Sequence, residues 1–339
     1  MLKKFFCIAA ALWAFQFCET PCFGENGFQE IETDIPPHIL FLGDSIASGY
    51  GLEGYDNGRE NCRSYANILS EEYEALLPEE CGFSMTNLAV DGQNSSDLAE
   101  RVVSGEYDDY LKSADCIVIS IGGNDMLDVM FDIMRSSGIV GDSSSFDFTA
   151  LIQGLADMSR SIDLNLESFD ENIAETAAYI KSISPAEVIV QTLYNPFESF
   201  NVPAISELSA QKIDRLNEMI VAHSSDADGG YTVCDVASAF EGKANELTKI
   251  SQFDVHPNVE GHEIIADCVD NSVRSHRYSY LKAAEASVPT GVDNSSDTAG
   301  LIIVMIFAAA ALIVGIILGR KLRKLSRNDA DPTDAENDD

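Results

Sequence analysis

Short apolar runs alternate with longer amphipathic segments over most of the chain. Five runs have strand length: 38–42 (HILFL), 83–88 (FSMTNL), 116–121 (CIVISI), 187–193 (EVIVQTL) and 231–235 (YTVCD). They are mostly apolar and rich in Val, Ile and Phe, as strands buried on both faces are. Helical spacing recurs between and after them, near 62–77, 95–104, 168–183, 204–224 and 259–285. Alternating strand and helix predicts a parallel sheet with right-handed crossovers. The expected class is therefore α/β, a three-layer α/β/α sandwich on a parallel sheet of about five strands. The connection from 126 to about 167 is long and begins with Met126, Leu127, Val129, Met130, Phe131, Ile133 and Met134. It reads either as a lid over a site or as a helical layer packed on the core.

Two apolar segments stand outside this alternation. Lys3 and Lys4 precede an apolar stretch from Phe5 to Phe17, which reads as a secretory signal, with an uncleaved anchor as the alternative. Leu301 to Leu318 carries no charge. As a helix rising about 1.5 Å per residue, it spans about 27 Å, close to the hydrocarbon thickness of a bilayer. Arg320, Lys321, Arg323, Lys324 and Arg327 follow and place that side in the cytoplasm. The expected organisation is a signal peptide (1–24), a globular domain (25–285), a linker (286–299), a transmembrane helix (300–319) and a cytoplasmic tail (320–339). Such a chain is a cell-membrane protein with an extracytoplasmic domain, held through a single C-terminal helix. Val288-Pro289-Thr290-Gly291 weakly resembles a sortase sorting signal, but one residue is missing between its proline and threonine. The tail also continues past the basic cluster, so a retained anchor is favoured over cell-wall attachment.

Charge narrows the choice of partners. The net charge of the 339 residues is −35 at pH 7. Between Glu25 and Ala299 stand 14 basic residues against 49 acidic ones. A surface of that sign repels nucleic acid and anionic headgroups, so no nucleic-acid partner is expected. It also keeps a domain soluble. Beyond the leader the cysteines are Cys62, Cys81, Cys116, Cys234 and Cys268, an odd number. Cys116 and Cys234 fall in strand-like runs and read as small core residues. No Cys-x-x-Cys or Cys/His spacing suggests zinc.

Ligands of open parallel sheets bind at the carboxyl ends of the strands. The polar clusters sit there: Gly43-Asp44-Ser45, Asp91-Gly92-Gln93-Asn94, Gly122-Gly123-Asn124-Asp125 and, after the fifth strand, Asp254-Val255-His256-Pro257-Asn258. Acyl transfer needs a hydroxyl, a base to take its proton and donors for the developing oxyanion. Taken singly, Ser45 reads as a helix N-cap before it reads as a nucleophile, and Asn124 as a turn residue. Asp44 and Asp125 read as groups that bond loop backbone. Of the five histidines, only His256 follows a polar loop and precedes a proline that fixes the chain. His262 reads as a packing residue. Tyr194-Asn195-Pro196 either lines a pocket or makes a turn.

Together these blocks resemble the SGNH hydrolases, also called the GDSL esterase/lipase family, over roughly residues 37 to 270. Gly43-Asp44-Ser45 is similar to the nucleophile block, Gly92 to the second-block glycine, Gly122-Gly123-Asn124-Asp125 to the GxND block and His256-Pro257-Asn258 to the last block. The Gly-x-Ser-x-Gly elbow of α/β-hydrolases is absent, since its fifth position is Ala47. The resemblance implies a flavodoxin-like sandwich and a serine esterase with neither metal nor organic cofactor. It implies Ser45 as nucleophile and His256 as base. The oxyanion donors would be the backbone N–H groups of Ser45 and Gly92 and the side chain of Asn124. One position departs from the pattern. The family places an aspartate three residues before the histidine, where this chain has Phe253; the nearest acid, Asp254, stands two before. Either Asp254 reaches the imidazole through a different local turn, or a backbone carbonyl orients His256 in a Ser-His dyad. The implied ester substrates are short acyl or acetyl esters on carbohydrate, or lysophospholipids. The alternatives are a non-catalytic module binding carbohydrate or another ligand on the same fold, and an acyltransferase to sugar hydroxyls.

Overall fold

The computed structural model describes residues 28–127, 129, 148–227 and 229–283. The leader, the linker, the apolar segment 301–318, the tail and the Met130–Met134 part of the long connection lie outside the described residues. Among the described residues no helix is long and apolar enough to cross a membrane.

The five apolar runs form one parallel sheet: β2 (His38–Gly43), β3 (Ser84–Asn87), β4 (Cys116–Ser120), β5 (Glu187–Gln191) and β6 (Thr232–Cys234). Their spatial order is β3-β2-β4-β5-β6. The chain thus moves outward from β2 to β3, then returns to the other side of β2 with β4. That reversal makes a topological switch point between β2 and β4, where a crevice opens at the strand ends. The two strands pair as far as Gly43 opposite Ser120. Every residue of β4 is buried, as is all of β2 after His38, which is why these runs carry no polar face.

Helices cover both faces. On one, α2 (Tyr65–Leu76) packs against α9 (Val259–Arg274). On the other, α5 (Phe148–Ile183) packs against α3 (Ser95–Val103), α4 (Asp108–Ser113) and α6 (Pro203–His223). Shorter helices follow two of the strands: α1 (Ser45–Ser48) after β2, then α7 (Val236–Phe240) and α8 (Ala244–Leu247) after β6. From 148 onward the long connection forms the first half of α5, a helical layer packed on the core. Met158, Ile162, Leu166, Phe169, Ile173 and Ile180 make up its buried stripe at helical spacing.

The segment 259–285 is not one helix. α9 ends at Arg274, and Tyr278–Ala283 forms a strand, β7. This strand pairs antiparallel with β1 (Phe28–Thr33), which the hydrophobic pattern does not announce, in a separate two-stranded ribbon. Ser275 N–H and His276 N–H bond back to Ser272 and Val273 carbonyls and close the helix. Beyond it the Tyr-Ser-Tyr-Leu alternation fits a strand with one buried edge, and Tyr278 is buried. The five described cysteines are free thiols, with Cys116 and Cys234 fully buried.

Candidate active site

The site begins where β2 stops. Gly43 has φ +130°, and a Cβ there would overlap the Ser120 carbonyl of β4. Only glycine turns the chain this close to the neighbouring strand. Asp44 N–H then donates to Ser120 O at 3.1 Å. The Asp44 carboxylate caps α1, accepting from Ile46 N–H at 3.0 Å. Asp44 is therefore the cap, and Ser45 is the first residue of the helix. α1 lasts one turn and ends at Gly49, in the left-handed region at φ +81°.

His256 approaches from the other end of the chain. Its Nε2 lies 2.9 Å from Ser45 Oγ, and its Nδ1 lies 2.5 Å from Asp254 Oδ1. The same carboxylate oxygen accepts His256 N–H at 3.0 Å. The displaced acid therefore does reach the imidazole. The cause lies at Phe253, which adopts φ +59°, alone among the described non-glycine residues in having positive φ. This reversal turns the following carboxylate back along the chain, so a spacing of two residues suffices. Asn258 holds the loop on α9, its side chain accepting Gly261 N–H at 2.9 Å, and Tyr194, after β5, holds it on the sheet, its Oη donating to Val255 O at 2.8 Å.

The turn after β4 supplies Asn124. Its Nδ2 donates to Gln93 O at 2.9 Å. Asp125 accepts from Ser95 N–H at 3.0 Å and from Ser95 Oγ at 2.6 Å, tying this turn to the start of α3. Asp44 thus bonds the backbone of its own turn, while Asp125 bonds that of Ser95, 30 residues away. Ser45, Asn124 and His256 line one cavity of about 110 Å³. Its remaining wall is largely apolar: Ile46, Met126, Leu127, Leu193, Ile213 and Val255. Tyr194 and Pro196 also line it, while Asn195 accepts Phe197 N–H, so that stretch is both pocket wall and turn. Gly92 is placed differently. It has φ +76°, and a Cβ added to it would meet no atom within 4 Å. It borders an adjoining acidic groove with Asp91, Asp97 and Glu100. The left-handed conformation, not crowding, is what calls for glycine there. The Asn124 to Gln93 bond holds its turn beside the cavity.

Burial and partners set the local charges. Burial pushes the Asp44 carboxyl up to about 7, against the opposing pull of Ile46 N–H and His256. Burial also acts to raise Asp254, but its bonds from His256 and the charge of Lys249 outweigh it and hold the carboxyl below its ordinary value. His262 is fully buried and pushed down to about 3, chiefly by desolvation; its Nδ1 accepts Tyr65 N–H at 3.3 Å. It is a packing residue, as the sequence suggested.

Two neighbours of the site carry no sequence signal. The Tyr50 ring lies 5.1 Å from the His256 ring and is half exposed. Lys249 Nζ donates to Gly51 O at 2.6 Å and lies 3.9 Å from Asp254 Oδ2. Neither belongs to a motif, and only the folded loops bring them to His256 and Asp254.

The family model described as GDSL-like Lipase/Acylhydrolase matches residues 41–264. The protein YpmR of Bacillus subtilis (strain 168) is 22% identical over 276 residues, covering 80% of this chain and 96% of that protein. The solved phospholipase A1 from Streptomyces albidoflavus NA297 is 22% identical and has a TM-score of 0.52, covering 69% of this chain and 98% of that one. The acetylxylan esterase Axe2 from Geobacillus stearothermophilus is 17% identical with a TM-score of 0.46, covering 70% and 93%. The family match spans well over half of the chain, including both ends of the Ser45–His256 contact, and the chain therefore belongs to the GDSL-like Lipase/Acylhydrolase family, as an SGNH-type serine hydrolase acting on esters.

Proposed function

We propose that the domain hydrolyses carboxylic esters with Ser45 as nucleophile, His256 as general base and acid, and Asp254 as the group that orients the imidazole. The observation that carries this reading is the continuous contact from Ser45 Oγ to His256 Nε2 and from His256 Nδ1 to Asp254 Oδ1. Ser45 Oγ attacks the ester carbonyl while Nε2 takes its proton. Nδ1–H donates to Asp254, which fixes the tautomer and stabilises the imidazolium. The oxyanion forms beside the backbone N–H of Ser45, the backbone N–H of Gly92 and Asn124 Nδ2. Asn124 has two N–H groups; one donates to Gln93 O, and the second is left for substrate. Each such donor typically contributes about 2.7–4 kcal/mol to the transition state. The imidazolium then protonates the leaving alcohol, and water repeats the sequence on the acyl-enzyme.

The small apolar cavity beside Ser45 suits the acyl part of a short-chain ester or of a lysophospholipid-type substrate. The reading as a binding module drew its support from the displaced acid, and the contact of that acid with His256 removes that support. The leader and the charge-free run 301–318 support an exported domain held at the cell surface by a C-terminal helix. Fractionation with external protease tests that placement: the domain is cleaved in intact cells while the tail is protected.

The catalytic reading is tested with the full chain in detergent on p-nitrophenyl esters of increasing acyl length. Wild type turns over and is labelled by a fluorophosphonate. Ser45→Ala abolishes labelling and lowers kcat by at least about 10³-fold. A wild-type chain with neither turnover nor labelling sinks the reading.

A further inference from the structure

The two carboxylate oxygens of Asp254 have different neighbours. Oδ1 takes both bonds from His256. Oδ2 faces Lys249 Nζ at 3.9 Å. That ammonium donates at 2.6 Å to Gly51 O, 198 residues away in sequence, in the loop that leaves α1. It is largely enclosed, the Lys249 side chain being 17% exposed. Gly51 makes the room for it. A Cβ on Gly51, whose φ is +75°, would stand 2.9 Å from Nζ and 3.9 Å from Asp254 Oδ2. The Lys249 main chain grips the same loop. Its N–H donates to His256 O at 3.0 Å, and its carbonyl accepts Gln252 N–H at 2.8 Å and Asp254 N–H at 3.3 Å.

We propose that Lys249 is a positioning residue for the triad, holding Asp254 with Oδ1 turned onto His256 and fastening the acid's loop to the loop that follows the Ser45 helix. The inference rests on the Ser45–His256–Asp254 reading above. The physical need arises from the displaced acid. Asp254 follows a residue in the left-handed region and stands only two residues before its partner. A carboxylate so placed has a second oxygen that would otherwise face solvent and draw the group away. Lys249 gives that oxygen a fixed counter-charge, while its bond to Gly51 stops the two loops from parting. The other ionisable groups acting at this point are His256 on Oδ1, buried His262 beside Lys249 and His256, buried Tyr194 near Asp254 and Asp44, Tyr50 with its ring against His256, and Asp44, which senses His256 and Asp125. Lys249 is the cation facing Asp254. Its charge helps hold the Asp254 carboxyl below its ordinary value, so with Lys249 removed the acid limb of kcat/KM moves to higher pH. A lysine that only supported the loop would lower activity equally at every pH.

The test uses the full chain in detergent, a p-nitrophenyl ester, and the variants Lys249→Met, Lys249→Gln and Lys249→Arg. Lys249→Met lowers kcat by about tenfold or more while KM stays within about twofold, as expected for a group acting through the catalytic residues and not on substrate. Its acid limb moves up in pH. Lys249→Arg keeps the charge and a donor and retains kcat within about threefold, with the limb in place. Lys249→Gln keeps a donor for Gly51 O, so it preserves the loop if Lys249→Met does not fold, and its limb moves up as well. An unmoved limb in the uncharged variants, whether kcat is lowered or not, overturns the inference if Ser45→Ala has abolished turnover. Absence of turnover in wild type strikes the esterase reading instead.

Discussion

Phe253 holds a conformation that aromatic residues seldom adopt, since its Cβ crowds the following carbonyl at a cost of about 1–2 kcal/mol. Its ring is 47% exposed and touches Phe200 edge-on at 6.2 Å, so packing alone does not explain the backbone. The strain sets the direction of Asp254. Phe253→Gly relieves it without changing the path of the chain, and kcat stays within about threefold of wild type. Phe253→Pro locks φ near −65° and removes the N–H that donates to Ile250 O at 2.9 Å. Asp254 then turns away from Nδ1, and kcat falls by about 10²-fold or more while the far-ultraviolet circular dichroism is unchanged. Asp254→Asn tests the acid itself. An amide at this place favours the wrong imidazole tautomer, and comparable changes lower kcat by about 10⁴-fold. An Asp254→Asn enzyme with near-wild-type kcat would establish a Ser-His dyad.

At the scale of elements, the site depends on how closely β2 and β4 approach at the switch point. Gly43→Ala places a Cβ against the Ser120 carbonyl, at a φ that only glycine adopts readily. The collision is with backbone on a fully buried strand, so neither side can yield. Gly43→Ala loses at least about 3 kcal/mol, a fall in Tm of about 10 °C for a domain of this size, read by thermal melting. The five sheet strands were legible because burial on both faces leaves continuous Val/Ile/Phe runs. Ser45, Asn124 and His256 were legible because each closes a strand end or follows a polar loop. Other features were not. The first half of α5 follows a Ser/Asp-rich break that hides its start. The end of α9 is hidden because Tyr280 and Leu281 stand seven and eight residues after Val273, in helical phase across a polar Arg-Ser-His-Arg stretch, and β1 has meaning only once β7 is there to pair with it. The reach of Asp254 depends on one φ angle, and the role of Lys249 depends on two loops 198 residues apart.

Across the whole molecule, three features favour the acidic side of neutrality. The net charge of −35 makes each further ionisation repulsive. His223, at the end of α6, is drawn downward by burial, but Asp226 and Asp170 outweigh that and raise it above its ordinary value. A histidine raised on folding adds stability that is complete below its unfolded pKa and is lost as pH rises through the folded one. Asp44 acts in the same direction for a different reason. Its carboxyl is raised on folding to about 7, so the folded state holds the proton more tightly than the unfolded chain does. Stability therefore falls as pH climbs from about 4 through about 7, and by pH 8 a buried carboxylate has been charged at a cost of up to about 4 kcal/mol. Asp44→Asn isolates this contribution, because an asparagine side chain still accepts Ile46 N–H as a cap and never ionises. Its Tm matches wild type within a degree or two near pH 4.5, and exceeds it by an amount that grows steadily to pH 8. Melting curves of both proteins across that range measure the difference. A gap independent of pH would mean that Asp44 is ionised throughout, its charge compensated by His256 and the start of α1.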